Sequence, residues 1–66
     1  MNFDEAQALE ILIHDRYADV LELQGIWRSG TGSHFVYCRE RQTGNYVRFY
    51  DEHDLWSDYG ERAGDV

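Results

Sequence analysis

Sixty-six residues carrying 13 acidic and 6 basic side chains give a formal net charge of −7 and allow one small domain, which excludes a multidomain enzyme. A hydrophobic fraction of 42% with 15% aromatics is too high for a disordered acidic chain. Apolar runs such as Ile11-Leu12-Ile13 are far too short to span a membrane or form a signal-peptide core, and the single cysteine, Cys38, excludes an internal disulfide and fits a cytoplasmic location.

A chain of this length buries only about 60% of its unfolded surface, and its core must offset roughly 1.5 kcal/mol of ordering entropy per residue. Ten Phe, Tyr and Trp side chains help, each able to bury about 150–250 Å². Self-association or partner binding is the remaining remedy that the composition leaves open.

The N-terminal third predicts one helix over residues 3–24. Asn2 followed three positions later by Glu5 is a capping-box start, and Asp4 and Glu5 suit the positive helix end. Ala6, Leu9, Leu12, Ile13, Tyr17, Val20 and Leu23 gather on one side of a helical wheel, and Gly25 follows as a stop. A second, narrower apolar set, Phe3, Ile11, Ala18 and Leu21, could pack under the C-terminal segment or face a partner.

Residues 26–50 read as β-structure. Ile26-Trp27-Arg28 is a short strand, Ser29 to Ser33 a flexible loop, and His34–Arg41 and Tyr46–Tyr50 are two further strands joined at Thr43-Gly44-Asn45. A two-residue turn sends Val36, Cys38, Val47 and Phe49 to the helix side and Phe35, Tyr37, Arg39, Arg41, Tyr46, Arg48 and Tyr50 to the other. It also sets Arg39 opposite Arg48, a like-charge pair with a cost. A three-residue turn pairs Glu40 with Arg48 instead and moves Tyr37 inward; the first register keeps the strand arginines outside.

Asp51 as N-cap and Gly60 as a stop bracket a short helix whose apolar side is Leu55, Trp56 and Tyr59. The expected fold is therefore α+β: an N-terminal helix packed on a three-stranded antiparallel meander, then a short C-terminal helix. Residues 1–60 form the single domain and 61–66 a flexible acidic tail.

Charge is distributed as acidic, basic, acidic. Residues 1–25 hold six acids and one arginine, residues 26–50 four arginines and one glutamate, and residues 51–66 six acids and one arginine. On the expected long helix Asp4, Asp15, Asp19 and Glu22 form one stripe, although Asp15 and Asp19 repel at i,i+4 and acids near a helix C-terminus are unfavourable.

All six cations are arginine, whose planar fork stacks on aromatics and grips carboxylates. The outer sheet face, with Trp27, Tyr37, Arg39, Tyr46, Arg48 and Tyr50, is accordingly a candidate protein contact. A stacking platform for single-stranded nucleic acid is the other option, but the net charge of −7 argues against direct nucleic-acid binding.

His14, His34, His53 and Cys38 lack the paired spacing of a zinc site, so no metal or cofactor is expected. Gly30-Thr31-Gly32 lacks the lysine of a phosphate loop, and no catalytic pair stands out, so no enzyme is expected either. The leading expectation is a non-enzymatic, protein-binding inhibitor that occludes a basic, nucleic-acid-binding surface of a larger partner. Its contact set is Asp15, Asp19, Glu22, Asp51, Glu52, Asp54 and Asp58. Small acidic inhibitors carried by phages, DNA mimics and anti-CRISPR proteins among them, share this composition, an analogy that no motif carries. The alternative is a regulatory or assembly adaptor, or a homodimer, that uses the Tyr/Arg face of the sheet.

Overall fold

The computed structural model describes residues 1–62. Its elements run α1 (Phe3–Arg16), β1 (Leu21–Arg28), β2 (His34–Glu40), β3 (Tyr46–Phe49) and α2 (Glu52–Tyr59). The α+β architecture is the expected one: three antiparallel strands in the order β1-β2-β3, with helices before and after them.

α1 starts at a complete capping box. The Asn2 side chain accepts from the Glu5 backbone N–H at 2.8 Å, and the Asn2 N–H donates to Glu5 Oε1 at 3.0 Å. The helix ends at Arg16 rather than at residue 24, which corrects the sequence expectation. The two charge penalties of a longer helix explain the early stop. Ending at Arg16 leaves His14 and Arg16 in the last turn, where cations are favoured, and releases Asp19 and Glu22 from the negative end. The Tyr17 carbonyl then accepts from Val20 at 3.0 Å and Leu21 at 2.8 Å, turning the chain into β1.

The segment after that turn is strand, not helix. Leu21 lies opposite Glu40, Leu23 opposite Cys38 and Ile26 opposite Val36. Pairing all of β1 with the seven residues of β2 satisfies more backbone groups than a three-residue strand could. A bulge between Leu23 and Gly25 resets the alternation, so Leu23 and Ile26, three apart, both pack against the core. Gly25, expected as a helix stop, sits at this bulge with φ +143°, a conformation that side-chain-bearing residues avoid.

The β2–β3 connection corrects the register. Glu40 N–H donates to the Asn45 carbonyl at 2.7 Å and Gly44 N–H to the Glu40 carbonyl at 2.8 Å, which makes a four-residue loop. Tyr46 therefore opposes Arg39, and Arg48 opposes Tyr37. The parity is unchanged, so the expected faces stand, while the Arg39–Arg48 clash disappears.

One face of the sheet carries the core. Ala6, Leu9, Ile13 and Tyr17 from the first helix and its cap meet Leu21, Val36, Cys38 and Phe49 from the strands and Leu55 from α2, all essentially inaccessible. The second apolar set of the expected long helix splits: Leu21 is core, whereas Phe3 and Ile11 are exposed. α2 begins at Asp51, whose side chain accepts from Asp54 N–H at 2.9 Å, and ends at Gly60.

Of the expected tail, residues 61 and 62 are described and 63–66 lie outside the described residues. Arg62 is held: its N–H donates to the Tyr17 hydroxyl at 3.0 Å, and its guanidinium lies 4.8 Å from the Tyr17 ring centroid.

Candidate interaction site

With both helices on the inner face, the outer face of the three-stranded sheet is uncovered by any element among the described residues. Strand pairing builds it in rows. Arg39 stands between Glu22 and Tyr46, Tyr37 between Gly25 and Arg48, and Phe35 opposite Trp27. Tyr50, one residue beyond β3, closes the last row with its ring centroid 5.2 Å from that of Phe35. The structure thus brings together Tyr37, Arg39, Tyr46, Arg48 and Tyr50, which alternation assigns to this face, and its β1–β2 pairing adds Trp27.

Aromatic contacts knit this face. The Tyr37 and Tyr46 rings stack at 5.3 Å with planes only 7° apart, and Tyr37 meets Trp27 and Phe35 edge-on at 5.8 and 6.3 Å. The Arg48 guanidinium carbon lies 5.4 Å from the Phe35 centroid and 5.9 Å from that of Tyr37, within cation–π reach of both. Trp27 and Tyr46 nevertheless remain 54% and 56% exposed, so the cluster is not a second closed core. Among the described residues neither Arg39 nor Arg48 forms a salt bridge. Between Trp27, Phe35, Tyr37 and Arg48 lies a cleft of about 210 Å³.

Phe35, which alternation also assigns to this face, is missing from the contact set read from the sequence. It is only 8% exposed yet belongs to the outer face, where it floors the cleft. The signal was its place two residues before Tyr37 in the same alternation.

The seven acidic candidates fare differently: Asp15, Asp19 and Glu22, expected on one long helix, are divided among α1, the turn and β1, while the other four stay at α2. Asp15 is at the end of α1, 3.4 Å from His14. Asp19 lies in the turn after it, 2.6 Å from the Arg62 guanidinium, whose hydrogen bond holds the carboxyl below its usual range. Glu22 is on β1 and pairs with Arg41 at 3.3 Å. Asp51 caps α2, and Asp54 accepts from Tyr50 N–H at 2.9 Å. Two local convergences remain. Glu5, Asp51 and Glu52 line one depression with His53, and Asp19, Glu40 and Asp58 line another with Arg41.

Chemistry at the remaining reactive groups is muted. Burial pushes the Cys38 thiol up to about 12, with the Glu10 carboxylate adding to the effect, so almost no thiolate forms near neutrality. The three histidines stand apart, on α1, β2 and α2, and among the described residues no three His, Cys, Asp or Glu side chains gather as a metal site. Nor is any described helix long and apolar enough to cross a membrane. Comparison with protein-family models, with curated proteins and with solved structures finds no match for this chain.

Proposed function

We propose that this protein is a small, non-enzymatic binding module that engages a larger partner protein through the outer face of its sheet. One observation carries the reading: exposed Trp27, Tyr46 and Tyr50 surround Tyr37 and Arg48 on a face the core does not use. Tyr, Trp and Arg are the side chains enriched at binding hot spots, and an exposed aromatic patch on a small monomer marks a contact surface. The acids serve this reading as a solubilising shell, with Asp19, Glu22, Asp51 and Asp54 occupied by contacts within the chain.

A second reading, occlusion of a basic surface on the partner, draws on the depression that Glu5, Asp51 and Glu52 line. Affinity capture with immobilised variants separates the two. The double variant Trp27→Ala, Tyr46→Ala is expected to lose the captured partner while still unfolding cooperatively, at a somewhat lower temperature. The charge-reversal pair Asp15→Lys, Glu52→Lys is expected to keep it. Loss with the charge reversals and retention with the aromatic variant transfers the function to the acidic surface.

A further inference from the structure

The cleft on the outer face specifies more than a generic contact. Its floor is Phe35, its walls are Trp27 and Tyr37, and Arg48 stands at its side. Opposite Tyr37 on β1 the sheet carries Gly25, so no side chain fills that position in the row. A volume of about 210 Å³ falls below the ~300–1,000 Å³ of small-molecule pockets and suits one anchoring side chain. Arg48 is exposed, lies against two rings and forms no salt bridge among the described residues. A guanidinium held within cation–π reach of two rings and without a carboxylate of its own keeps N–H donors available for one.

We propose that this cleft takes an aromatic side chain of the partner protein flanked in its sequence by carboxylates, the ring seated against Trp27, Phe35 and Tyr37 and a carboxylate held by Arg48. The proposal deepens the sheet-face reading and rests on it. Charge complementarity selects the occupant. Among the described residues this face carries Arg39 and Arg48 with Glu22 as its one acid, and Glu22 is turned to Arg41. One or two carboxylates match two guanidinium groups. A nucleic-acid strand brings a charge at every phosphate to a chain with 13 acids and 6 bases, and long-range repulsion opposes it. A second copy seated face to face about a two-fold axis sets the same cationic patch against itself.

The test uses the whole chain and amide proton–nitrogen correlation spectra, titrated with four probes: the blocked tripeptide acetyl-Asp-Trp-Glu-amide, its uncharged counterpart acetyl-Asn-Trp-Gln-amide, acetyl-Asp-Ala-Glu-amide, and oligothymidylate. The acidic tryptophan peptide is expected to shift the Trp27 indole N–H and the amides of Phe35 and Tyr37. Affinity is expected to fall roughly tenfold for the uncharged peptide, for the alanine peptide, and for the protein variant Arg48→Gln. Arg48→Lys should recover only part of it, since a point charge lacks the fork. Equal binding of charged and uncharged peptides at the same amides overturns the carboxylate assignment and leaves the sheet-face reading standing. The same shifts appearing on raising the protein concentration alone make the occupant a second copy and overturn the proposal. Oligothymidylate moving these amides where the peptide does not overturns both the proposal and the reading beneath it, while no probe moving them at all overturns the proposal and leaves the sheet-face reading to the capture result.

Discussion

At the scale of single residues, the tightest links are two tyrosines that fasten the C-terminal segment to the rest of the chain. The buried Tyr17 hydroxyl donates to the Gly60 carbonyl at 2.5 Å and accepts from Arg62 N–H. The Tyr59 hydroxyl donates to Glu40 Oε2 at 2.5 Å, while Thr43 donates to the other carboxylate oxygen at 2.6 Å. These two bonds, Thr43 first, hold the Glu40 carboxyl below its usual range. Burial, then the bond to Glu40, raises the Tyr59 phenol above its ordinary value of 10.0. The raised phenol stabilises the fold at every pH below about 10, and that contribution is lost as pH climbs toward the folded value. The lowered carboxylate contributes above its ordinary range and is lost as acid takes the pH down through its folded value. Thermal unfolding followed by circular dichroism checks the alkaline side. Tyr59→Phe is expected to melt about 3–6 °C lower at neutral pH and to lose stability less steeply than the parent above pH ~10. Parallel alkaline slopes in the two proteins count against the assignment.

At the scale of elements, what could be read from the chain depended on whether local and tertiary preferences agreed. The α1 start was legible because Asn2 and Glu5 satisfy each other whatever the remainder does. The α1 end was not, because Tyr17, Val20 and Leu23 fit a helical stripe as well as a strand, and only pairing with β2 decides between the two. The hairpin faces were legible, whereas the register shifted because Glu40 and Asn45 close a longer loop than the sequence suggests. The same logic explains the candidate sites. Apart from Trp27, the sheet-face set depended only on strand parity and came together, while Asp15, Asp19 and Glu22 depended on helix length and dispersed. Gly25 was legible as a glycine with a purpose, but its purpose is the β1 bulge. Its φ of +143° is strained for any other residue, whereas Gly30 has open space and no positive φ. Gly25→Ala is therefore expected to cost about 1–2 kcal/mol, and Gly30→Ala to be neutral or slightly stabilising. Denaturant titration of the two variants checks this, and equal midpoints contradict the role given to the bulge.

At the scale of the whole molecule, the charge pattern of the sequence becomes a layering. Asp4, Glu5, Glu10 and Asp15 lie on α1 and Glu52, Asp54 and Asp58 on α2, while Arg28, Arg39 and Arg48 lie on the strands. The helical layer thus carries most of the negative charge against a sheet whose three arginines outnumber its two glutamates, Glu22 and Glu40. Within the helical layer like charges dominate. The Arg–carboxylate pairs lie outside that layer, Asp19 with Arg62 and Glu22 with Arg41, and are solvent-exposed and individually worth little. Self-repulsion in the folded state therefore outweighs exposed pairing, and screening should favour folding rather than oppose it. Raising the ionic strength from about 0.01 to about 0.3 M shortens the Debye length from ~30 Å to under 8 Å, well inside the 35 × 29 × 18 Å extents of the molecule. The melting temperature is expected to rise by a few degrees over that range. Neutralising one acid of the helical layer that has no salt bridge, as in Glu52→Gln, should reproduce part of the gain at low salt and leave less for salt to add. A melting temperature that falls with salt would mean that the exposed ion pairs govern stability, and Asp19→Asn would then be the more damaging substitution.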